Sequence, residues 1–392
     1  MKILHSFIVF SIEIGSGTTE FMYQICKAQA KVGLKPTILS GSYGFDKKLA
    51  RTLEGVSFQV VKTWFHKQGF SIMPGLIIWC RENLKNYDIV HMHVHRTFQN
   101  IVLYYYCRKY KIPYIIDAHG SMPYFKKKIF LKKIFDWTIG KSILKNASKL
   151  LAESNKGIIE YKKIMPSLND LKLRVIYPSF NIDDFLHIPE RGNFRKTQNL
   201  LIDTNVIIFI GRLSPIKGLE FLLKTFSKFV TRSPNSKLYL IGDDGGTGYK
   251  NNLIKLANDY KLTDSIIFTG FLSGKEKHSA IIDANVLIQC SLQEQGPRVP
   301  FDAVLLGTPV IVTKDTGSGE YVKKFDAGEL VEYNNCDQLC DKLHMILNNL
   351  EKAKKRTNNA AVKIKEEMSI EKIISQYQEL YLESKKHLQS FS

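Results

Sequence analysis

Two stretches decide the fold: NVIIFIGRLSPIKGLEFLLKTF at residues 205–226 and NVLIQCSLQEQGPRVPFDAVLLG at residues 285–307. In each, a β-branched run ends in a Gly- or Pro-bearing turn and resumes as a segment of helical period. The first turn carries two cations, Arg212 and Lys217; the second places two carboxylates, Glu294 and Asp302, eight residues apart across a loop-to-helix entry. A helix N-terminus with an Arg fork and a Lys point charge suits a diphosphate. Carboxylates accept from the hydroxyls of a sugar. Plain readings stand beside these: an ordinary strand–helix turn for 211–218, a solvated loop acid for Glu294, and a helix first-turn charge for Asp302.

Working outward, the same alternation fills the chain. KILHSFIVF, KPTILS, VSFQVVK, YDIVHMHV, IPYIIDA, KLLAES and LRVIYP read as strands of one half, and NVIIFI, KLYLIG, SIIFTG, NVLIQC and TPVIVT as strands of another. Strands alternating with amphipathic helices imply α/β domains with parallel sheets, whose ligands collect at the C-terminal strand ends. The 392 residues exceed a single ordinary core. The expected division is a domain over 1–185, a polar linker over 186–203, a second domain over 204–368, and a closing helix over 369–392. In that helix Ile373, Ile374, Tyr377, Leu380 and Tyr381 share one side.

Composition narrows the class. The chain is 44% hydrophobic and 24% charged, which is globular. No run approaches the ~20 apolar residues of a membrane span. The N-terminal apolar run carries His5, Ser6, Ser11 and Glu13 and lacks a small-residue cleavage site, so it reads as a buried strand of a cytoplasmic protein. Six cysteines without C-x-x-C spacing read as reduced thiols. The net charge is +19, and residues 1–185 hold 28 Lys and Arg against 13 Asp and Glu. Such a half suits an anionic partner, or a merely Lys-rich surface. Residues 124–146 (YFKKKIFLKKIFDWTIGKSILKN) concentrate it, with Lys126, Lys127, Lys128, Lys132 and Lys133 among Phe130, Phe135 and Trp137. A basic amphipathic helix of this kind lies on an anionic membrane, or packs one face on the sheet.

The HMHVH run at 91–95 alternates three imidazoles. Period-two spacing puts them on one strand face, as a metal site or as cleft and core groups; only Asp88 lies nearby to support a metal, and none is expected.

GRLSPIKGLEFLLKTF, LYLIGDDGG, IIFTGFLS and SLQEQGPRVPFDAVLLGTPVIVTKDTGSGEYV resemble, in that order, the donor domain of retaining GT-B glycosyltransferases of family 4. GSGTTEFMYQICKAQAKVG, YDIVHMHVH and IPYIIDAHGSMP resemble that family's acceptor-side motifs, and SIEKIISQYQELY its final helix, which returns to the N-terminal domain. The resemblance implies two Rossmann-like domains facing across a cleft. It implies Arg212 and Lys217 on the diphosphate of a UDP- or GDP-sugar, with no tightly bound cofactor. Glu294 takes the first position of the family's Glu-x7-Glu pair, and Asp302, one methylene shorter, the second. Gly17 falls in the Gly-rich loop after the first strand, with Ser16 where a second glycine is usual. His119 lies beside the reacting sugar and orients it. Gly270 and Phe271 are expected near the base. YPSFNIDDF at 177–185 is a degenerate form of a family segment and receives no role.

The implied reaction moves a hexose, with retention and without metal, to a glycan or lipid-linked acceptor of the kind used in polysaccharide and cell-envelope synthesis, at the inner membrane face. A nucleotide-sugar epimerase or a phosphorylase would use the same fold, though no pyridoxal-phosphate lysine motif is evident. A nucleic-acid-binding protein rests on charge alone, without any helix-turn-helix, zinc-finger or RNP signature.

Overall fold

The twelve expected runs become strands, and three further short strands bring the total to fifteen among the described residues of the computed structural model, which are 1–67, 69–124, 129–178, 180, 185 and 188–389. The chain divides into two units, Met1–Phe180 with Ile370–Ser392, and Asn181–Ser369.

Unit 1 holds β1 (Lys2–Ser6), β2 (Lys35–Gly41), β3 (Ser57–Val61), β4 (Phe65–Lys67), β5 (Phe70–Ile72), β6 (Ile89–His93), β7 (Tyr114–Asp117), β8 (Lys149–Ala152) and β9 (Leu173–Val175). Seven of these form a parallel sheet of order β3-β2-β1-β6-β7-β8-β9, and β4 and β5 pair as a separate antiparallel hairpin. Helices cover the sheet, so its strands are apolar on both faces. On one face Ile3, Ile89, Ile115 and Leu151, one from each of β1, β6, β7 and β8, meet Phe21 and Ile25 of the helix Ile12–Lys31. The closing helix Ile370–Gln389 joins them through Ile373, Ile374, Tyr377, Leu380 and Tyr381, all buried. At ~1.5–3 kcal/mol per buried side chain, the five from the closing helix contribute on the order of 10 kcal/mol. Ion pairs set its register: Lys385 on Asp88 at 2.7 Å and Lys149 on Glu383 at 2.7 Å.

Unit 2 holds β10 (Asn205–Ile210), β11 (Ser236–Ile241), β12 (Ile266–Gly270), β13 (Val286–Gln289), β14 (Val310–Thr313) and β15 (Glu329–Val331), parallel in the order β12-β11-β10-β13-β14-β15. Its core gathers the apolar stripe of the helix Leu219–Val230 (Leu219, Leu222, Leu223, Phe226, Phe229) on Ile207, Phe209, Leu238 and Leu240. Strand order reverses direction between β1 and β6 in unit 1 and between β10 and β13 in unit 2. These are the switch points at which α/β sheets bind ligands.

The first strand is shorter than its apolar run: pairing stops at Ser6, and Phe7–Ser11 continue as buried irregular chain. The stretch expected as a linker differs more. From Gly192 it is built into unit 2, where the Asp283 carboxylate accepts from the backbone N–H groups of Gly192, Phe194 and Arg195 at 2.6–3.1 Å and Phe194 packs on Tyr239. The basic segment is a helix Ile129–Phe135, a π turn Asp136–Gly140 and a helix Lys141–Asn146; Phe125, Lys126, Lys127 and Lys128 lie outside the described residues. The π turn buries Asp136, which accepts from the Arg96 guanidinium, the Tyr124 hydroxyl and His95. Burial alone would raise the Asp136 carboxyl, but these partners outweigh it and hold it down to about 2.

Candidate active site

In unit 2 the loops after β10 and β13 flank the switch point. They touch because residue 218 is glycine: it has φ +67°, and a Cβ there would lie 2.1 Å from the Cys290 carbonyl oxygen. The Leu292 N–H donates to the Ile216 carbonyl at 2.8 Å, closing the contact. Lys217 thereby reaches Glu294, and the ammonium donates to Oε1 in a short ion pair. Ser291 Oγ donates to the same oxygen at 2.7 Å. The Glu294 carbonyl accepts from the Gly317 N–H at 2.7 Å, and Ser318 Oγ donates to the Gly296 carbonyl at 2.9 Å. The loop is therefore pinned to the start of the helix Gly317–Phe325. Arg212 follows β10 with an exposed side chain that has no partner among the described residues.

Asp302 departs from its expected place. It is the fifth residue of the helix Arg298–Leu305, one turn inside rather than at the entry, and it is buried. Its Oδ2 accepts from Lys277 Nζ at 2.9 Å, a residue of the neighbouring helix Gly274–Asp283. Helical geometry turns the side chain toward that helix. Gly270 ends the edge strand β12 at φ +79°, its carbonyl accepting from the Gly242 N–H at 2.8 Å, and the Phe271 ring beyond it is 55% exposed.

In unit 1 Gly17 also departs from expectation. It lies within the helix Ile12–Lys31, not in a loop; Ser11 caps that helix in extended conformation, so the glycine-bearing segment is already helical. Apart from its own helix backbone and chain neighbours, no atom of the described residues lies within 4 Å of where a Gly17 Cβ would stand.

His119 follows β7 with φ +43°, a conformation rare for a residue with a Cβ. Its Nδ1 contacts Glu153 Oε1 at 3.0 Å and its Nε2 contacts His93 Nδ1 at 2.9 Å. Asp117 Oδ1 is 3.5 Å from the same Nδ1. Burial pushes the Asp117 carboxyl up to about 6 against the opposing pull of His119. With both ring nitrogens engaged, the imidazole is an oriented group rather than a free base.

The three alternating histidines do not share a face. His91 and His93 stack at 4.3 Å between centroids, but the chain turns at Val94 (φ +68°) and His95 goes to Asp136 at 3.2 Å. Ligand atoms of His5, His91 and His93 lie within 4.8 Å of one another, a spacing a divalent ion could use. Hydrogen bonds already engage both ring nitrogens of His5 and of His93.

The structure thus joins Lys217 to Glu294 and gives Glu294, Asp302 and His119 partners that sequence reasoning misses: Ser291, Lys277 and Glu153 respectively. Glu153 has a readable signal, since it directly follows β8, the strand beside β7, as His119 follows β7. Lys277 has none, because it arrives from another helix.

The family described as "Glycosyltransferase Family 4" matches residues 15–184, and that described as "Glycosyl transferases group 1" matches residues 190–363. The YtcC protein of Bacillus subtilis (strain 168) is 28% identical over 63% of this chain, and the match spans 61% of the YtcC length. The uncharacterized glycosyltransferase MJ1607 of Methanocaldococcus jannaschii is 27% identical over 75% of each chain. Among solved structures, Anabaena HepE in complex with UDP-glucose superposes with a TM-score of 0.81 at 18% identity, covering 97% of this chain and 98% of that one. Two parallel-sheet Rossmann-like units, in a chain matched almost end to end by these two families, establish that the protein belongs to the GT-B glycosyltransferases of family 4.

Proposed function

We propose that this chain transfers a hexose from a nucleotide-diphosphate sugar to a glycan or lipid-linked acceptor, with retention of anomeric configuration and without a metal ion. The observation that carries the reading is the Lys217–Glu294 pair over the switch point between β10 and β13. A cation and a carboxylate meet there where the sheet gathers a ligand. In this reading Arg212 and Lys217 hold the diphosphate, and Glu294 is released from Lys217 to accept from the hexose hydroxyls. Asp302, shared with Lys277, takes the ribose, while Gly270 and Phe271 border the base. In unit 1, Gly17 leaves open ground on its helix and His119 orients the reacting sugar. The complex of HepE with UDP-glucose supports a uridine nucleotide as the first donor to try.

In the reaction the acceptor oxygen bonds to the anomeric carbon as the bond from that carbon to the phosphate oxygen breaks. The acceptor proton passes to the departing diphosphate oxygen. The protein supplies position and charge: the two cations stabilise the leaving diphosphate, and the carboxylates hold the sugar. We further propose that the apolar and basic segment after β7 rests on an anionic membrane, at the cytoplasmic face where lipid-linked acceptors lie. Its Phe130, Leu131 and Trp137 are exposed beside Lys132, Lys133 and Lys141.

Nucleotide release from a panel of UDP- and GDP-sugars, with and without glycan acceptors and with chelator present, tests the reading. Release dependent on both donor and acceptor is expected. No release, and no thermal shift with UDP or GDP, would sink it.

A further inference from the structure

Behind His119 runs a buried chain of hydrogen bonds that the transfer reaction as described does not use. His119 Nε2 meets His93 Nδ1 at 2.9 Å, His93 Nε2 meets His5 Nδ1 at 3.0 Å, and His5 Nε2 meets Gln29 Oε1 at 2.9 Å. The Gln29 amide nitrogen donates to the Tyr381 hydroxyl at 3.0 Å, and that hydroxyl meets His91 Nδ1 at 3.0 Å. His5, Gln29, His91, His93 and Tyr381 are all at most 1% exposed.

Proton counting restricts what this chain can hold. Burial lowers His5 to about 4 and puts His91 and His93 well below the usual range, so each carries a single ring proton at neutral pH. A carboxylic acid is about two pH units more acidic than imidazole, so at the outer end Glu153 accepts and His119 Nδ1 donates. With Gln29 Oε1 facing His5, His5 must donate from Nε2, His93 from Nε2 to His5, and His119 from Nε2 to His93. His119 then carries two protons. If the amide is turned over, every donor reverses: Gln29 donates to His5, His5 to His93, and His93 to His119, which keeps only its Nδ1 proton. Each arrangement satisfies every link from Gln29 to Glu153, and they differ by one proton.

We propose that Glu153 and Gln29 are positioning residues for His119: Glu153 keeps its Nδ1 protonated, and the Gln29 amide, acting through His5 and His93, sets whether Nε2 carries a proton as well. The inference rests on the reading of His119 as a site residue. It makes Tyr381, and so the closing helix, part of the proton inventory of that site. Among the described residues, the charged and titratable groups that face His119 include Glu153, which follows β8, Asp117 from β7 and His93 from β6, with His91 farther along β6; Phe21 packs edge-on from the helix Ile12–Lys31.

The test is a two-bond proton–nitrogen spectrum of the full chain labelled with 15N-histidine, without donor, the His119 signals being assigned with His119→Asn. Nδ1 is expected to bear a proton throughout about pH 6–8, the range over which imidazole titrates. Glu153→Ala is expected to move that proton toward Nε2. Gln29→Met, similar in size without polar atoms, is expected to shift the Nε2 titration by about one pH unit or more. Tyr381→Phe, which removes one oxygen, carries the same expectation should Gln29→Met fail to fold. In turnover, Glu153→Ala lowers kcat about tenfold or more with donor KM held, and Glu153→Gln, which keeps an acceptor oxygen, recovers most of it. A wild-type His119 without a proton on Nδ1 overturns the proposal, as do wild-type His119 spectra in all the folded variants. The spectra need no substrate, so failure of glycosyl transfer leaves them free to decide.

Discussion

Lys217 and Glu294, 77 residues apart in sequence, are ion-paired where the loops after β10 and β13 touch. Their side chains are 20% and 15% exposed, and Ser291 still donates to Glu294 when Lys217 is lost, so removing Lys217 costs only about 1 kcal/mol of stability. Lys217→Met is therefore expected to leave the melting temperature nearly unchanged while raising the donor KM about tenfold or more, the loss of one charge-assisted phosphate contact. Glu294→Gln keeps the shape and removes the charge. Its kcat is expected to fall about a hundredfold, the size of effect seen when one positioned electrostatic group is lost. Steady-state nucleotide release gives both constants, and full activity in Glu294→Gln removes that residue from the site.

Asp302 and Lys277 form the second pair, with side chains 9% and 20% exposed. Removing one partner leaves the other charge poorly solvated. Asp302→Ala is expected to cost about 1–3 kcal/mol in urea unfolding, and Lys277→Met combined with Asp302→Leu to regain most of it. Additive losses in the double variant would show that the two residues do not act as a pair. Should Asp302 also touch the donor, Asp302→Glu, which lengthens its reach, changes donor KM with little change in stability.

Much of the fold is legible in the sequence. The β-branched runs place most of the strands, because a parallel strand covered on both faces is mostly apolar; His5 in β1 and His91 and His93 in β6 are buried polar exceptions. The closing helix reads correctly down to Ile373, Ile374, Tyr377, Leu380 and Tyr381, whose spacing leaves one face for the core. Local pattern fails where a side chain is claimed by a distant element. Asp302 sits eight residues after Glu294, yet its partner Lys277 comes from another helix. The 91–95 alternation predicts three imidazoles on one face, but Val94 leaves the extended region and sends His95 to Asp136. Gly17 reads as a loop glycine because sequence does not reveal that the helix starts as early as Ile12. The stretch 186–203 reads as a linker because what anchors it, the Asp283 carboxylate, lies about ninety residues downstream.

The buried imidazoles make stability depend on mild acid. His5 titrates at about 4 in the fold against 6.5 in the unfolded chain, so between these values the unfolded state binds more protons. The contribution is complete above the unfolded value and is lost as pH falls through 6.5 toward 4. For His5 alone the loss by pH 5 is ~2 kcal/mol, and His91 and His93 are lowered in the same direction. Asp136, held at about 2, stays outside this window, whereas Asp117, raised to about 6, gains stability within it and offsets part of the loss. Urea unfolding at pH 7 and pH 5 measures the difference. A His5→Asn variant, less stable at pH 7, is expected to lose less on acidification, and an unchanged dependence on pH would remove His5 from this role.

The segment following β7 carries the final expectation. Ile129, Phe130, Leu131, Ile134 and Trp137 are between 38% and 81% exposed, and the lysines beside them add charge of one sign. A scattered exposed Leu needs no explanation, but five exposed apolar side chains within nine residues are more than scatter. Aromatic rings bury at the headgroup boundary while lysines meet anionic lipid, and each lysine near the surface contributes about 1 kcal/mol. The full chain is therefore expected to float with vesicles containing about 30% anionic phospholipid and not with zwitterionic ones. Replacing both Phe130 and Trp137 by Ser should cut the bound fraction about tenfold, since each ring offers ~1.5–3 kcal/mol of burial, only part of which is realised at an interface. Raising salt from about 0.1 M to about 1 M shortens the screening length from about 10 Å to about 3 Å and should release much of the remainder. Equal binding to both kinds of vesicle would show that the lysines only solvate the surface.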